Sequence, residues 1–139
     1  MSVDLTVYLS RSTMPSPDRW AQGIREAGFP ADLDADFDVD TSSGFVPCTY
    51  EGKPGGFEYF ARPLAEEDRD ELGVSAAHDF SVTLATHSEM RGLATSIVAA
   101  AVLCQITGGT LVDQQAGEQF AASEALGYAR EMLESMHLE

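Results

Sequence analysis

The stretch THSEMRGLATSIVAAAVLCQITGG, residues 86–109, decides how the rest of the chain is read. From Met90 to Ile106 it is apolar on every side of a helical period, broken mainly by Arg91, Thr95, Ser96 and Gln105. A helix that is apolar all round must be buried all round, so this segment predicts a central helix wrapped by other elements. At about 17 residues it sits at the short limit of a membrane span, and the Gly108-Gly109 stop suits a buried helix better. Thr86-x-x-Glu89 fits a capping box in front of it, giving a helix over 89–106. Leu93, Ile97, Ala100, Val102 and Leu103 are expected to be inaccessible.

Phe80, Val82 and Leu84 alternate before this helix and Leu111-Val112 follows it, which makes a strand–helix–strand unit. A second such unit opens the chain. Leu5, Val7 and Leu9 alternate with Thr6 and Tyr8. Ser16-Pro17-Asp18 then supplies an N-cap, a first-turn proline and a first-turn acid. Trp20, Ile24 and Ala27 share the face of that helix, Gly28 stops it, and residues 31–40 alternate as a strand. Between the units, Phe45 to Glu51 and Phe57 to Arg62 read as a hairpin around a five-residue loop, Gly52-Lys53-Pro54-Gly55-Gly56. Phe57 and Tyr59 fall on its inward face, and Phe60 lies outward beside Glu58. Glu66 to Glu71 reads as a short charged helical turn or loop. Ser123 caps a last helix with Leu126, Ala129, Leu133 and Met136 on one face. The order β-α-β-(β-β)-β-α-β-α predicts one α+β domain over residues 1–139. Its pattern is ferredoxin-like, with an inserted hairpin, a C-terminal helix and a largely antiparallel sheet.

The chain has 139 residues, 44% of them apolar, enough for one domain with a real core. Its outlying property is charge: 23 Asp and Glu against 8 Lys and Arg, a net −15. Such a surface repels phosphate backbones, which excludes nucleic acid as the expected partner. The first residues read as a strand containing Asp4, so a secretory signal is not expected, and no membrane association is expected either. Cys48 and Cys104 make neither a disulfide framework nor a zinc site, and a reducing cytoplasm is the simplest compartment.

Asp32, Asp34, Asp36, Asp38 and Asp40 are the sharpest feature. On a strand all five carboxylates would project from one face, about 6.7 Å apart, with Leu33, Ala35, Phe37 and Val39 inward. Three readings stay open: a solvated edge protected by charge, a docking stripe for a basic surface, and weak divalent binding. A calcium loop is excluded, because a start at Asp34 puts Val39 where glycine is needed and Phe45 where glutamate is needed. A phosphoacceptor role for Asp36 or Asp38 fails because the strand carrying it is not apolar. His78 and His87 flank one strand, nearly 30 Å apart at about 3.3 Å per residue, and cannot share a metal or a proton; His137 lies in the C-terminal tail. Nucleophile elbow, phosphate loop, dinucleotide fingerprint and zinc-protease motif are all missing. No cofactor and no metal is therefore expected. An enzyme site at residues 86–91, using His87 and Arg91 with Arg62 or Asp113 folded near, is the rival. A third reading takes the acidity as adaptation to salt, which one lysine, Lys53, also fits.

Residues 86–136 carry a resemblance. An Ala-rich helix runs into Thr107-Gly108-Gly109, then Leu111-Val112-Asp113-Gln114-Gln115, Gly117 and a Ser-capped final helix. This resembles a module of small bacterial proteins, some of them similar to immunity proteins of polymorphic or contact-delivered toxins. The resemblance implies a cytoplasmic protein that binds and blocks a toxin without catalysis. The sequence reading is thus a binding protein of immunity or inhibitor type. It takes a basic protein partner through Asp32, Asp34, Asp36, Asp38, Asp40, Glu58 and Phe60.

Overall fold

The computed structural model describes residues 3–34, 36–39, 44–73, 77–87 and 89–136, with the side chain of Leu72 left out. The first unit runs from β1 (Val3–Leu9) through a 3₁₀ turn (Arg11–Thr13) and α1 (Pro17–Glu26) to β2 (Ala31–Leu33). The hairpin is β3 (Gly44–Tyr50) and β4 (Lys53–Pro63), followed by α2 (Glu66–Leu72). The second unit is β5 (Phe80–Thr86), α3 (Met90–Thr107) and β6 (Thr110–Asp113), with β7 (Glu118–Ala121) and α4 (Ala122–Ser135) after it. The strands form one sheet in the order β2-β3-β4-β5-β1-β6-β7, every neighbouring pair antiparallel. β1 lies between β5 and β6, the two strands that α3 joins, so the centre is the split β-α-β arrangement of an α+β domain.

One face of the sheet holds the core. Leu5, Val7 and Leu9, Val82 and Leu84, and Phe57 and Tyr59 are buried on the side covered by helices. α3 packs on β4 and β1 and is flanked by α1 and α4, which explains why it is apolar all round. It is long and apolar enough to cross a membrane by length and composition, yet 67% of it is buried inside the fold. Ile97, Ala100, Val102 and Leu103 are buried as expected, while Leu93 is half-buried. α1 docks through Trp20, whose Nε1–H donates to the Ala99 carbonyl at 2.9 Å. Gly23 lets the two helices close up, since a Cβ there would stand 3.0 Å from Val102 Cγ1.

Several expectations are corrected. The strand over 31–40 is only Ala31–Leu33, so the five-carboxylate strand face does not form. Prolines bracket it: Glu51 N–H bonds the Pro30 carbonyl at 2.7 Å and Asp34 N–H the Pro47 carbonyl at 3.2 Å. Neither proline has an N–H to return the bond, so the ladder ends at both. Asp36 N–H then bonds Asp34 Oδ1 at 3.0 Å, turning the chain away. The hairpin loop is not five residues but the pair Glu51-Gly52, with φ of 53° and 77°. Both positive values suit the tight turn that matches strand twist. Gly55 and Gly56 instead lie in β4 against α3, where a Cβ on Gly55 would stand 3.0 Å from the Arg91 carbonyl oxygen. The capping box is absent: Thr86 ends β5, and α3 starts after Glu89 with no side-chain cap. Ser123 is not the cap of α4, because the helix starts at Ala122, and Glu124 accepts the Ala121 N–H at 2.9 Å instead. β7 was not expected, and Glu66–Leu72 is a full helix.

Candidate functional site

The second face of the sheet is open along β3 and β4, while Thr6, Tyr8 and Ser81 of β1 and β5 are buried on it and α2 borders that part. The register lays out the residues of this face in rows. Phe45, Glu58, Ala85 and Asp4 form one row across β3, β4, β5 and β1. Phe60, Thr83, Thr6 and Val112 form the next, and Arg62, Ser81, Tyr8 and Thr110 the third. Phe45 and Phe60 are 59% and 48% exposed, large apolar side chains standing on either side of half-buried Glu58. Gly56 makes room for the Phe45 ring, because a Cβ there would fall 2.5 Å from Phe45 Cζ. Beyond Phe60 the face turns polar. Gln114 Nε2–H donates to Thr6 Oγ1 at 3.2 Å, and Thr6 Oγ1 shares a 3.0 Å bond with Thr83 Oγ1. A cavity of about 630 Å³ lies over this part, with Asp68 and Glu71 of α2 among its walls.

The acidic stretch sits at the β2 edge of the same sheet. Asp32, Asp34, Asp36 and Asp38 are exposed, and Asp40 lies outside the described residues. Asp32 stands opposite Thr49 and Asp34 beside Pro47, on the open side of the sheet. Asp32 comes within 3.8 Å of the Arg25 guanidinium, both side chains well exposed, a pair of little energetic weight. The loop after Asp34 is anchored. Phe37 packs edge-on to Tyr59 at 5.2 Å and to Trp20 at 6.2 Å, and the Tyr59 hydroxyl donates to the Val39 carbonyl at 2.6 Å. Phe37 packs against the core as the alternation requires, but from a pinned loop, and Ala35 lies outside the described residues.

The rival location, at the start of α3, holds a cavity of about 250 Å³ bounded by Phe45, Gly56, Thr86, His87 and Gly92. Glu58 and Glu89 line it too, and their charge opposes an anion at the helix N-terminus. Thr86 Oγ1 is buried there without a hydrogen-bond partner. Ser88 and His137 lie outside the described residues. His78 is at the other end of β5, its Nε2 3.3 Å from Thr110 Oγ1, and burial lowers its pKa against a smaller upward pull from Asp79. Asp113 is occupied structurally: it accepts the Gln115 and Ala116 N–H groups and, at 3.1 Å, the Tyr128 hydroxyl. Burial, and then the Asp113 charge, raises the Tyr128 pKa. Burial likewise pushes the thiols of Cys48 and Cys104 up to about 12, so neither is a nucleophile at neutral pH. Among the described residues, no group of three His, Cys, Asp or Glu side chains converges to hold a metal.

Comparison with known proteins finds no matching protein family, no matching curated protein and no matching solved structure. Of the expected site residues, Asp32, Asp34, Glu58 and Phe60 share the open side of the sheet, while Asp36 and Asp38 project from the loop beside it. Sequence reading missed Phe45, whose signal was its alternation with buried Val46 and Cys48. It also missed the polar cavity, whose signal was the hydroxyls alternating with the core residues of β1 and β5.

Proposed function

We propose that this is a non-enzymatic binding protein of immunity or inhibitor type, which takes a basic protein partner on the open face of its sheet. The observation that carries this reading is the exposure of Phe45 and Phe60 around Glu58. Apolar aromatic area of this size is rare on a solvated sheet face and characteristic of interface centres. Charge alone does not select this face, because α2 and α4 also expose acids. Asp32, Asp34, Asp36 and Asp38 beside it supply the long-range attraction, and the resemblance of residues 86–136 to immunity-type modules supplies the class and a cytoplasmic setting.

Photo-crosslinking from position 60 identifies the partner, and surface-immobilised kinetics with that purified protein tests the roles. Asp34→Asn, Asp36→Asn and Asp38→Asn together should slow association several-fold at low salt with little change in dissociation. Phe60→Ala should speed dissociation about tenfold or more. Unchanged rates in both variants would remove this face from the interface.

A further inference from the structure

We infer that the cavity over the open face is a binding site for a free basic α-amino acid, a molecule with two cations and one anion. Its volume of about 630 Å³ is on the scale of small-ligand sites and far exceeds one side chain. The charged groups lining it are three carboxylates, Asp4, Asp68 and Glu71, and one guanidinium, Arg62. None of the four makes an ion pair with a described residue. The set is net negative, with three anions and one cation. A ligand that sets one carboxylate on Arg62 and two cations among the three carboxylates matches its signs, which is the charge pattern of arginine or lysine at neutral pH.

The placement of the charges fits the same molecule. Arg62 and Asp4 lie two strands and two rows apart, about 16 Å between Cα positions from ordinary strand spacings. Arg62 and Asp4 line the same cavity, and an Arg62 side chain extended across it brings that gap to the length of an extended amino acid. A guanidinium fork binds a carboxylate with two parallel bonds, so Arg62 takes the α-carboxylate. Asp68 and Glu71, three apart on α2 and so on one side of it, face the ammonium and side-chain cation together with Asp4. Thr6 and Thr83 present hydroxyl oxygens on the floor. Because most of these charges are exposed, affinity is modest, with a Kd on the order of 0.1–1 mM.

The test is a ¹⁵N NMR titration of the full chain with L-arginine, L-lysine, agmatine, L-norleucine and arginine blocked at both ends in a short peptide. L-Arginine or L-lysine should give saturable shifts at Thr6, Arg62 and Thr83. Agmatine lacks the carboxylate and norleucine the side-chain cation, and each should bind about tenfold more weakly. Arg62→Ala should erase the preference for arginine over agmatine, and Asp68→Asn with Glu71→Gln should weaken every cationic ligand. All three positions are exposed, and circular dichroism confirms that the variants fold. Lack of saturation with the free amino acids at about 20 mM, well above the expected Kd, overturns the proposal. Binding of the blocked peptide alone also overturns it, assigning the cavity to the protein partner, and leaves the docking role of Phe45 and Phe60 standing.

Discussion

Cys48 lies in β3 opposite Leu33 of β2 and Cys104 inside α3, and both thiols rise from an ordinary 9.0 to about 12 because burial disfavours the thiolate. For Cys48 a backbone hydrogen bond at Asp34 partly offsets this, and the Asp34 charge adds to it. The sign follows from proton linkage. Below pH 9 the folded and unfolded chains hold both protons, so the stabilising contribution is fully present. Above pH 9 the unfolded chain releases them while the folded chain keeps them, and stability falls until the folded-state value is reached. Between pH 8 and pH 10 the loss should be on the order of 2 kcal/mol for the two sites together. Urea unfolding at pH 8, 9 and 10 checks it, and Cys48→Ala with Cys104→Ala should flatten the slope. An equal slope in that variant means that other groups govern the alkaline limb. Little of this was legible in sequence beyond the apolar setting of Cys104. Cys48 is buried with β2 paired beside it, a contact between segments that no local pattern displays.

Prolines and glycines fix the elements more sharply than hydrophobic alternation does. Residues 31–40 alternate without fault, yet pairing survives only to Leu33 because the partner of Asp34 is Pro47. That limit was written in the sequence, but reading it needs the register, which the Glu51-Gly52 turn sets. The same turn moves Gly55 and Gly56 from the supposed loop into β4, under the first turn of α3. There Gly56 N–H donates to Thr95 Oγ1 at 3.1 Å, and a Cβ on Gly92 would stand 3.0 Å from the Gly56 carbonyl oxygen. The strand and the helix meet backbone to backbone. Gly55→Ala or Gly92→Ala should therefore destabilise the fold by about 1–3 kcal/mol, since the neighbouring atoms are main chain and cannot swing aside. Gly127 supplies the contrast, lying exposed in α4 with nothing within 4 Å of an added Cβ. Gly127→Ala should stabilise by about 0.5–1 kcal/mol through helix propensity. Chemical denaturation of the three variants decides it, and a neutral Gly55→Ala would mean the helix stands off the strand. The strand–helix–strand order and the buried α3 were legible because long periodic segments declare themselves. β7 was not, being four mostly exposed residues of which only Phe120 is part-buried, its ring against Tyr128 of α4.

At the scale of the molecule, the question is whether a net charge of −15 serves a docking face or the whole surface. Exposed carboxylates occur on α2, α4 and the Asp34–Asp38 segment, and the described ion pairs, Arg19–Glu26 and Arg25–Asp32, are exposed and weak. Self-repulsion therefore works against the folded state at low salt. Screening relieves it quickly, because the Debye length is already about 10 Å at 0.1 M and about 3 Å at 1 M. If the acidity serves attraction to a partner, the melting temperature should rise by a few degrees between about 0.02 and 0.3 M sodium chloride and then level off. Over the same range, association with the partner should slow, since salt screens the attraction that speeds encounter. Chloride is the right salt, because sulfate strengthens burial by exclusion and would add a rise of its own. Scanning calorimetry measures the first effect and the kinetics of the crosslinked partner the second. A melting temperature still climbing at 2 M would identify the carboxylates as adaptation to salt. The docking face would then rest on Phe45 and Phe60 alone, and replacing the acids would leave association unchanged.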